Sequence, residues 1–321
     1  MNAFYIVTGA LIVILTFIDF FHTTLSTQGY GFISRSLNKA VSYLILTVKN
    51  RFLYKYSGLL HLLINSFVWL LLLLAGSCFI FLSEKDMVVN SLTKLPASAI
   101  ERFYYTCYVI STAGIGDYIP GNRLSRILSG ILSFSGFIML TMNITYLVAV
   151  LNAVNNKKNL ASYISSMGKN AEKLYNYLLQ DGDLALESTS DLRSLILKHN
   201  VNHLSYPVIQ RFLSIPNKFS AAVQLASLYE VLRVLKNKFN TSSQQVQRID
   251  AILAVIDDYL EVHKNEKLYD NDTEVLKRFR FMWLEKYKEK LPQPQQMDDL
   301  VSATLRSVGK GWQDVYETST N

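Results

Sequence analysis

Apolar residues run almost unbroken through three stretches of this chain, Phe4 to Phe21, Ser57 to Phe81 and Leu124 to Val154. Each is long enough to cross a hydrocarbon core about 30 Å thick, so the pattern predicts three membrane-spanning helices. Further on the pattern changes. Apolar residues recur every three or four positions over Ala171 to Leu179, Ser190 to His203, Lys218 to Phe239, Ser243 to Lys267, Thr273 to Leu291 and Met297 to Tyr316, the period of helices with one buried face. Turn-forming clusters separate them at Asp181-Gly182-Asp183, Tyr206-Pro207, Ile215-Pro216-Asn217, Asn240-Thr241-Ser242, Asp270-Asn271-Asp272 and Pro292-Gln293-Pro294. The fold class that follows is an all-α integral membrane protein with an all-α C-terminal domain.

Two shorter segments complete the pattern. Between the first two spans, Leu37, Val41, Leu44, Ile45, Val48 and Phe52 fall on one helical face and Arg35, Asn38, Lys39, Ser42 and Lys49 on the other, as in a helix lying in a membrane interface. Between the second and third, Ser98 and Glu101 form a Ser-x-x-Glu capping box at the head of Ala99 to Ser111, a helix too short to cross a bilayer. The expected domains are residues 1–56, 57–156 and 157–321.

Charge bears on topology. The chain carries a net charge of +7, of which residues 1–153 hold +5. Arg35, Lys39, Lys49, Arg51 and Lys55 lie between the first two spans with no acid among them, which places that loop in the cytoplasm. The N-terminus is then expected outside and the C-terminal domain in the cytoplasm of a cell membrane, with the anionic leaflet as the partner of the basic loop and no nucleic acid. Arg102, Arg123 and Arg126 near the outer face weaken the charge argument taken alone. Phe4 to Phe21 has no basic leader region and no small-x-small cleavage site, so it reads as a retained span.

Between the capped short helix and the third span stands Ser111-Thr112-Ala113-Gly114-Ile115-Gly116-Asp117-Tyr118-Ile119-Pro120. An ion leaving water must exchange hydration oxygens for protein oxygens, and the carbonyls of Thr112, Ala113, Gly114 and Ile115, with the Thr112 hydroxyl, are suited to supply them. Aiming consecutive carbonyls at one axis needs alternation between right- and left-handed backbone, which glycine allows at Gly114 and Gly116. The short helix would direct its carbonyl end at the same path.

On these residues, Ser57 to roughly Asn156 resembles the two-helix pore module of potassium channels. The loop looks most like the second pore loop of two-pore-domain channels. The resemblance implies a selectivity filter at Thr112, Ala113, Gly114, Ile115 and Gly116, Asp117 at the outer mouth, and K+ as the permeant ion, with no other metal and no cofactor. Ala113 stands where Val or Ile is more usual and Ile115 where Tyr or Phe is common, implying a reduced aromatic cuff. Because a carbonyl cage needs four loops and the chain has one, a homotetramer is implied. A weakly selective cation channel, or a membrane receptor or scaffold acting through its helical domain, are the alternatives.

In the third span, Gly130 and Gly136 suit close helix packing, and Thr141, Asn143 and Thr145 require a wet cavity or another helix. Val148, Leu151 and Val154 are candidates for a constriction at the inner mouth. Asp19, with His22 and Thr23 one turn on, is an ionisable group inside a span; pairing with Arg35, Lys39 or the Thr23 and Thr24 hydroxyls is the structural reading, a sensing role the functional one. No arginine-repeat span suggests a voltage sensor.

The C-terminal domain offers an unknown cytosolic ligand or partner no recognisable site. His199 and His203 have metal-capable spacing but no further ligand nearby, so they read as exposed polar residues. Asp257, Asp258 and Glu261 lack a calcium-loop pattern and read as a solvated face. Lys277, Arg280, Trp283 and Tyr287 read as a packing or membrane-facing strip. Cys78 and Cys107 read as buried apolar residues. No catalytic constellation and no nucleotide-binding motif is visible, so the chain is not expected to be an enzyme.

Overall fold

The computed structural model describes residues 2–26, 29–48, 51–180, 183–184, 189–239, 243–261, 280–281 and 296–316. Among the described residues, three helices are long and apolar enough to cross a membrane: α1 (Ala3–Leu25), α4 (Ser57–Leu82) and α6 (Arg123–Met167). Between them stand α2 (Phe32–Val48), α3 (Arg51–Lys55) and α5 (Ala99–Ile110). Two compact units form, one of Met1–Val48 with Leu59–Ala149, the other of Lys49–Gly58 with Val150–Asn321.

In the first unit α1 and α4 meet through glycines. A Cβ on Gly9 would stand 2.5 Å from the Gly76 carbonyl oxygen, and one on Gly76 would stand 2.9 Å from that of Gly9, so neither tolerates a side chain without moving a backbone. Deeper in, Phe20, Trp69, Leu73 and Met139 from α1, α4 and α6 form one buried cluster, with the Phe20 and Trp69 rings edge to face at 5.1 Å.

The loop ahead of α2 is fastened by Asp19. Its carboxylate accepts from the backbone N–H of Ile33 at 2.7 Å and of Ser34 at 3.2 Å, from the Ser34 hydroxyl at 2.5 Å and from the Trp69 indole at 2.9 Å. An acid at a helix N-terminus satisfies otherwise orphaned N–H groups and complements the helix dipole. The expected partners do not take part. Arg35 reaches the Tyr30 carbonyl, Thr23 accepts from the Gly31 N–H, Thr24 donates to the Phe20 carbonyl, and His22 lies 3.5 Å from the Ser26 hydroxyl.

The buried face of α2 also departs from expectation. Ser34, Asn38 and Ser42 are buried beside Val41 and Ile45, while Leu44, Val48 and, on α3, Phe52 are exposed. The reason lies on α4, where Asn65 donates to the Asn38 side chain at 3.2 Å and His61 lies 3.0 Å from the Ser42 hydroxyl. Polar side chains face one another here because in a bilayer each must find a partner within the protein.

The second unit is built round α9 (Ala221–Lys238), whose residues from Ala221 to Leu235 are all buried. Against it pack α7 (Ala171–Leu178), α10 (Gln244–Glu261), α11 (Gln296–Ser307) and α12 (Trp312–Tyr316), while α8 (Thr189–Ser205) packs on α10. Buried charges of α9 are matched inside the bundle. Glu230 receives Arg280, which also bonds Asp298 at 2.9 Å, and Asp298 pairs with Arg233 at 2.6 Å. Arg280 thus belongs to a buried ion network; Lys277, Trp283 and Tyr287 lie outside the described residues, as does the helix expected over Thr273 to Leu291 apart from 280–281.

One expectation for this unit fails and another holds in part. His199 and His203 are buried, at 1% and 4% exposure, because both rings pack on Tyr259 of α10. Asp258 and Glu261 are exposed, but Asp257 is half-buried and burial pushes its carboxyl up. Among the described residues, two small antiparallel ribbons join the helices, β1 (Val88–Asn90) with β2 (Tyr118–Pro120) and β3 (Leu179–Gln180) with β4 (Asp183–Leu184).

Candidate functional site

The loop after α5 is shaped by the helix that precedes it. Ser98 accepts from the Glu101 N–H and Glu101 returns a bond to the Ser98 N–H at 2.6 Å, closing the capping box. Arg102, 8% exposed, donates to the carbonyls of Ala97, Phe81, Glu84 and Lys85. Five N–H donors in a planar fork let one guanidinium tie the start of α5 to the end of α4 and the turn beyond it. At the other end, Ser111, Thr112 and Ala113 donate to the carbonyls of Cys107, Val109 and Tyr108, so the helix closes before the glycines.

Beyond that point the backbone alternates. Thr112, Gly114 and Gly116 have φ of +59°, +60° and +87°. The left-handed region is cheap for glycine and costly for a branched residue such as Thr112. All residues from Ser111 to Asp117 are exposed, Ile115 by 56%, and a Cβ built on Gly114 would meet nothing within 4 Å. The segment therefore leans on none of its own chain along one side.

Its exit is pinned. Asp117 presents its carbonyl to the Ser91 N–H at 2.8 Å, and Tyr118 to Pro120 pair with Val88 to Asn90. Nothing in the sequence reading anticipated this ribbon, although the β-branched pair Val88-Val89 and Ile119 were a signal for it.

Tyrosines stand behind the loop. The rings of Tyr104 and Tyr108 are 5.4 Å apart, Tyr104 and Tyr118 6.2 Å, and Tyr105 and Tyr108 5.2 Å, all near edge to face. The Tyr108 hydroxyl donates to the Tyr118 carbonyl and the Tyr118 hydroxyl to Glu101. This bond, with those from Ser98, holds the Glu101 carboxyl below the usual carboxylate range, and the same bond pushes the Tyr118 hydroxyl up. Aromatic support thus comes from α5 and from Tyr118, one residue past Asp117, and not from position 115.

On α6, Gly136 lies under the loop, for a Cβ there would stand 2.1 Å from the Ile110 carbonyl oxygen, whereas Gly130 faces open space. Asn143 is buried and accepts from Ser66 of α4 at 3.0 Å; Thr141 and Thr145 are exposed and bond back to their own helix. Among the constriction candidates, Val148 and Leu151 are exposed at 53% and 41%, but Val154 is 4% exposed. Val154, in the second unit, is buried within the chain. Cys78 and Cys107 are both free and half-buried, not fully buried.

Residues 67–153 match the family described as an ion channel, a stretch that lies within the part of the chain resembling a two-helix pore module. The chain is similar to the uncharacterized membrane protein YdjJ of Bacillus subtilis (strain 168), with 28% identity over 245 residues that cover 74% of this chain and 71% of that protein. No solved structure matches.

Proposed function

We propose that the chain is a subunit of a potassium-selective channel in which four copies bring Thr112 to Gly116 to a common axis as the filter. The observation that carries this reading is the left-handed backbone at every second residue, 112, 114 and 116, which is what consecutive carbonyls need in order to face one line. The exposed flank of the same segment supports it, since a surface that one chain leaves open is available to a symmetric assembly. Asp117 would stand at the outer mouth. Val148 and Leu151 would narrow the inner one, and Thr141 and Thr145 would meet the water between. The N-terminus lies outside and the helical C-terminal unit in the cytoplasm in this reading, following the basic α2 to α4 connection.

Purified protein in liposomes tests it. The expected result is K+ flux that exceeds Na+ flux under matched gradients and is abolished by Gly114→Ala, whose Cβ meets no atom of the folded chain but disfavours the left-handed φ. Equal fluxes of the two ions would establish a weakly selective pore instead. Absence of flux, with the protein folded, would sink the reading in favour of a receptor or scaffold.

A further inference from the structure

The filter segment has little of its own chain to rest on. Every residue from Ser111 to Asp117 is exposed, Ile115 by 56%, and a Cβ on Gly114 would meet nothing within 4 Å. A stretch with so little packing along its middle is placed by its two ends. We propose that Tyr118 is the positioning residue at one of those ends, tying the exit of the filter to both ends of α5 and thereby setting how sharply K+ is separated from Na+. This rests on the channel reading and adds to it the residues on which selectivity turns.

The entry of the segment is set by α5, because the N–H groups of Thr112 and Ala113 donate to the carbonyls of Val109 and Tyr108. The exit is held in two ways. Asp117 and the strand that follows it pair with the chain at Val88 to Ser91, which leads out of α4. Tyr118 alone, among the described residues past Asp117, returns the chain to α5 by hydrogen bonds at both ends of that helix. Its hydroxyl donates to Glu101 Oε1 at the head, where the second oxygen of the same carboxylate accepts from the Ser98 N–H at 2.6 Å. Its carbonyl accepts from the Tyr108 hydroxyl near the tail.

Glu101 and Tyr108 stand about 10 Å apart along the helix axis, at 1.5 Å of rise per residue. Helix, filter and Tyr118 therefore make a closed circuit with a rigid side. A ring of carbonyls discriminates between ions through the spacing and the field of its oxygens, and both change when the segment that carries them shifts. The circuit opposes that shift.

The two ties are of the stronger kinds. A phenol donating to a carboxylate makes a charge-assisted bond, and Tyr108, 6% exposed, donates from a site where little water competes. Ring packing is a separate contribution. The Tyr118 ring lies 6.2 Å from that of Tyr104, a contact that survives removal of the hydroxyl, so the bond and the packing can be told apart.

The ratio of K+ to Na+ flux through the full chain in liposomes, under matched gradients, tests this. Tyr118→Phe keeps the ring and removes the bond to Glu101. It is expected to lower the ratio about tenfold, the worth of one charge-assisted hydrogen bond, by admitting Na+ while K+ flux persists. Glu101→Asp keeps a carboxylate in the first turn of α5 but is one methylene too short to reach the phenol, so it should lower the ratio as much. The two changes together should lower it no further than either alone, since both break the same bond. A wild-type ratio in Tyr118→Phe, a fall of both fluxes alike, or a double variant whose loss is the product of the single losses would overturn the proposal and leave the channel reading standing. A wild type that passes no K+, or passes both ions equally, would overturn both. Should Tyr118→Phe fail to fold, Tyr108→Phe releases the other tie and is expected to lower the ratio too; an unchanged ratio there would equally count against the proposal.

Discussion

Asp19 of α1 and Trp69 of α4 are joined by a 2.9 Å bond from the indole N–H to the carboxylate, and the same carboxylate caps α2 through Ile33 and Ser34. One acid, 3% exposed, thereby fixes three helices. Its cost of burial is offset because every donor around it is aimed at it.

Asp19→Ala should therefore be among the most damaging changes in the first unit. It strands the indole N–H, the Ser34 hydroxyl and two backbone donors, a loss of about 3 kcal/mol or more. Asp19→Asn, which keeps an acceptor oxygen, should cost less. Thermal unfolding in detergent micelles checks the order; an unchanged midpoint for Asp19→Ala would show that the carboxylate does not hold α2.

Gly136 and Gly130 offer a matched pair on one helix. Gly136→Ala forces a methyl into the Ile110 carbonyl, 2.1 Å away, whereas Gly130→Ala enters open space. The first is expected to destabilise by about 1–3 kcal/mol through overpacking and to disturb the loop that Ile110 precedes. The second is expected to be neutral or to stabilise by up to about 1 kcal/mol, since alanine favours helix over glycine. Unfolding midpoints and ion flux of the two variants, measured side by side, check both.

Glu101 gives the pore module a defined acid response. Its carboxyl is held below its ordinary value of 4.5, first by the Tyr118 hydroxyl and then by Ser98. A lowered carboxylate stabilises the fold above its unfolded value, and that contribution is lost as the pH falls through the lowered one. Acid unfolding should therefore steepen below about pH 4.5, and Tyr118→Phe should flatten that limb by removing the largest cause. Identical acid limbs in the two proteins would contradict the assignment.

Much of this arrangement was legible in the residues themselves. The three spans, the Ser98 and Glu101 box and the glycine alternation rest on local pattern, and local pattern is what a sequence carries openly. Thr112 in the left-handed region was not foreseen, because only glycine advertises that conformation. Partners distant in the chain were misjudged most. The sequence suggests Arg35, Lys39 or the Thr23 and Thr24 hydroxyls for Asp19, yet its donors come from Ile33, from Ser34 and from Trp69, fifty residues away. Likewise the polar positions of α9 imply a wet face until Arg280 and Asp298 are seen to cover them, and His199 and His203 read as exposed until Tyr259 lies across them. The fault is common to all three: periodicity counts a polar residue as solvated, whereas a paired one can be buried.

The network round Arg280 should decide the stability of the second unit. Its guanidinium, 4% exposed, bonds Glu230, which is fully buried, and Asp298; Tyr316 donates to Glu230 at 2.8 Å and Arg233 supports Asp298. Arg280→Ala leaves two acids with one arginine between them, and breaking a buried pair in this way costs about 3–5 kcal/mol. Replacing the set together, Arg280→Met with Glu230→Leu, removes both the charge and its partner and should recover part of that loss. A double-mutant cycle by urea unfolding of the full chain measures the coupling. If the single and double variants were equally stable, the ion pair would contribute nothing beyond packing, and the burial of Glu230 on α9 would need another cause.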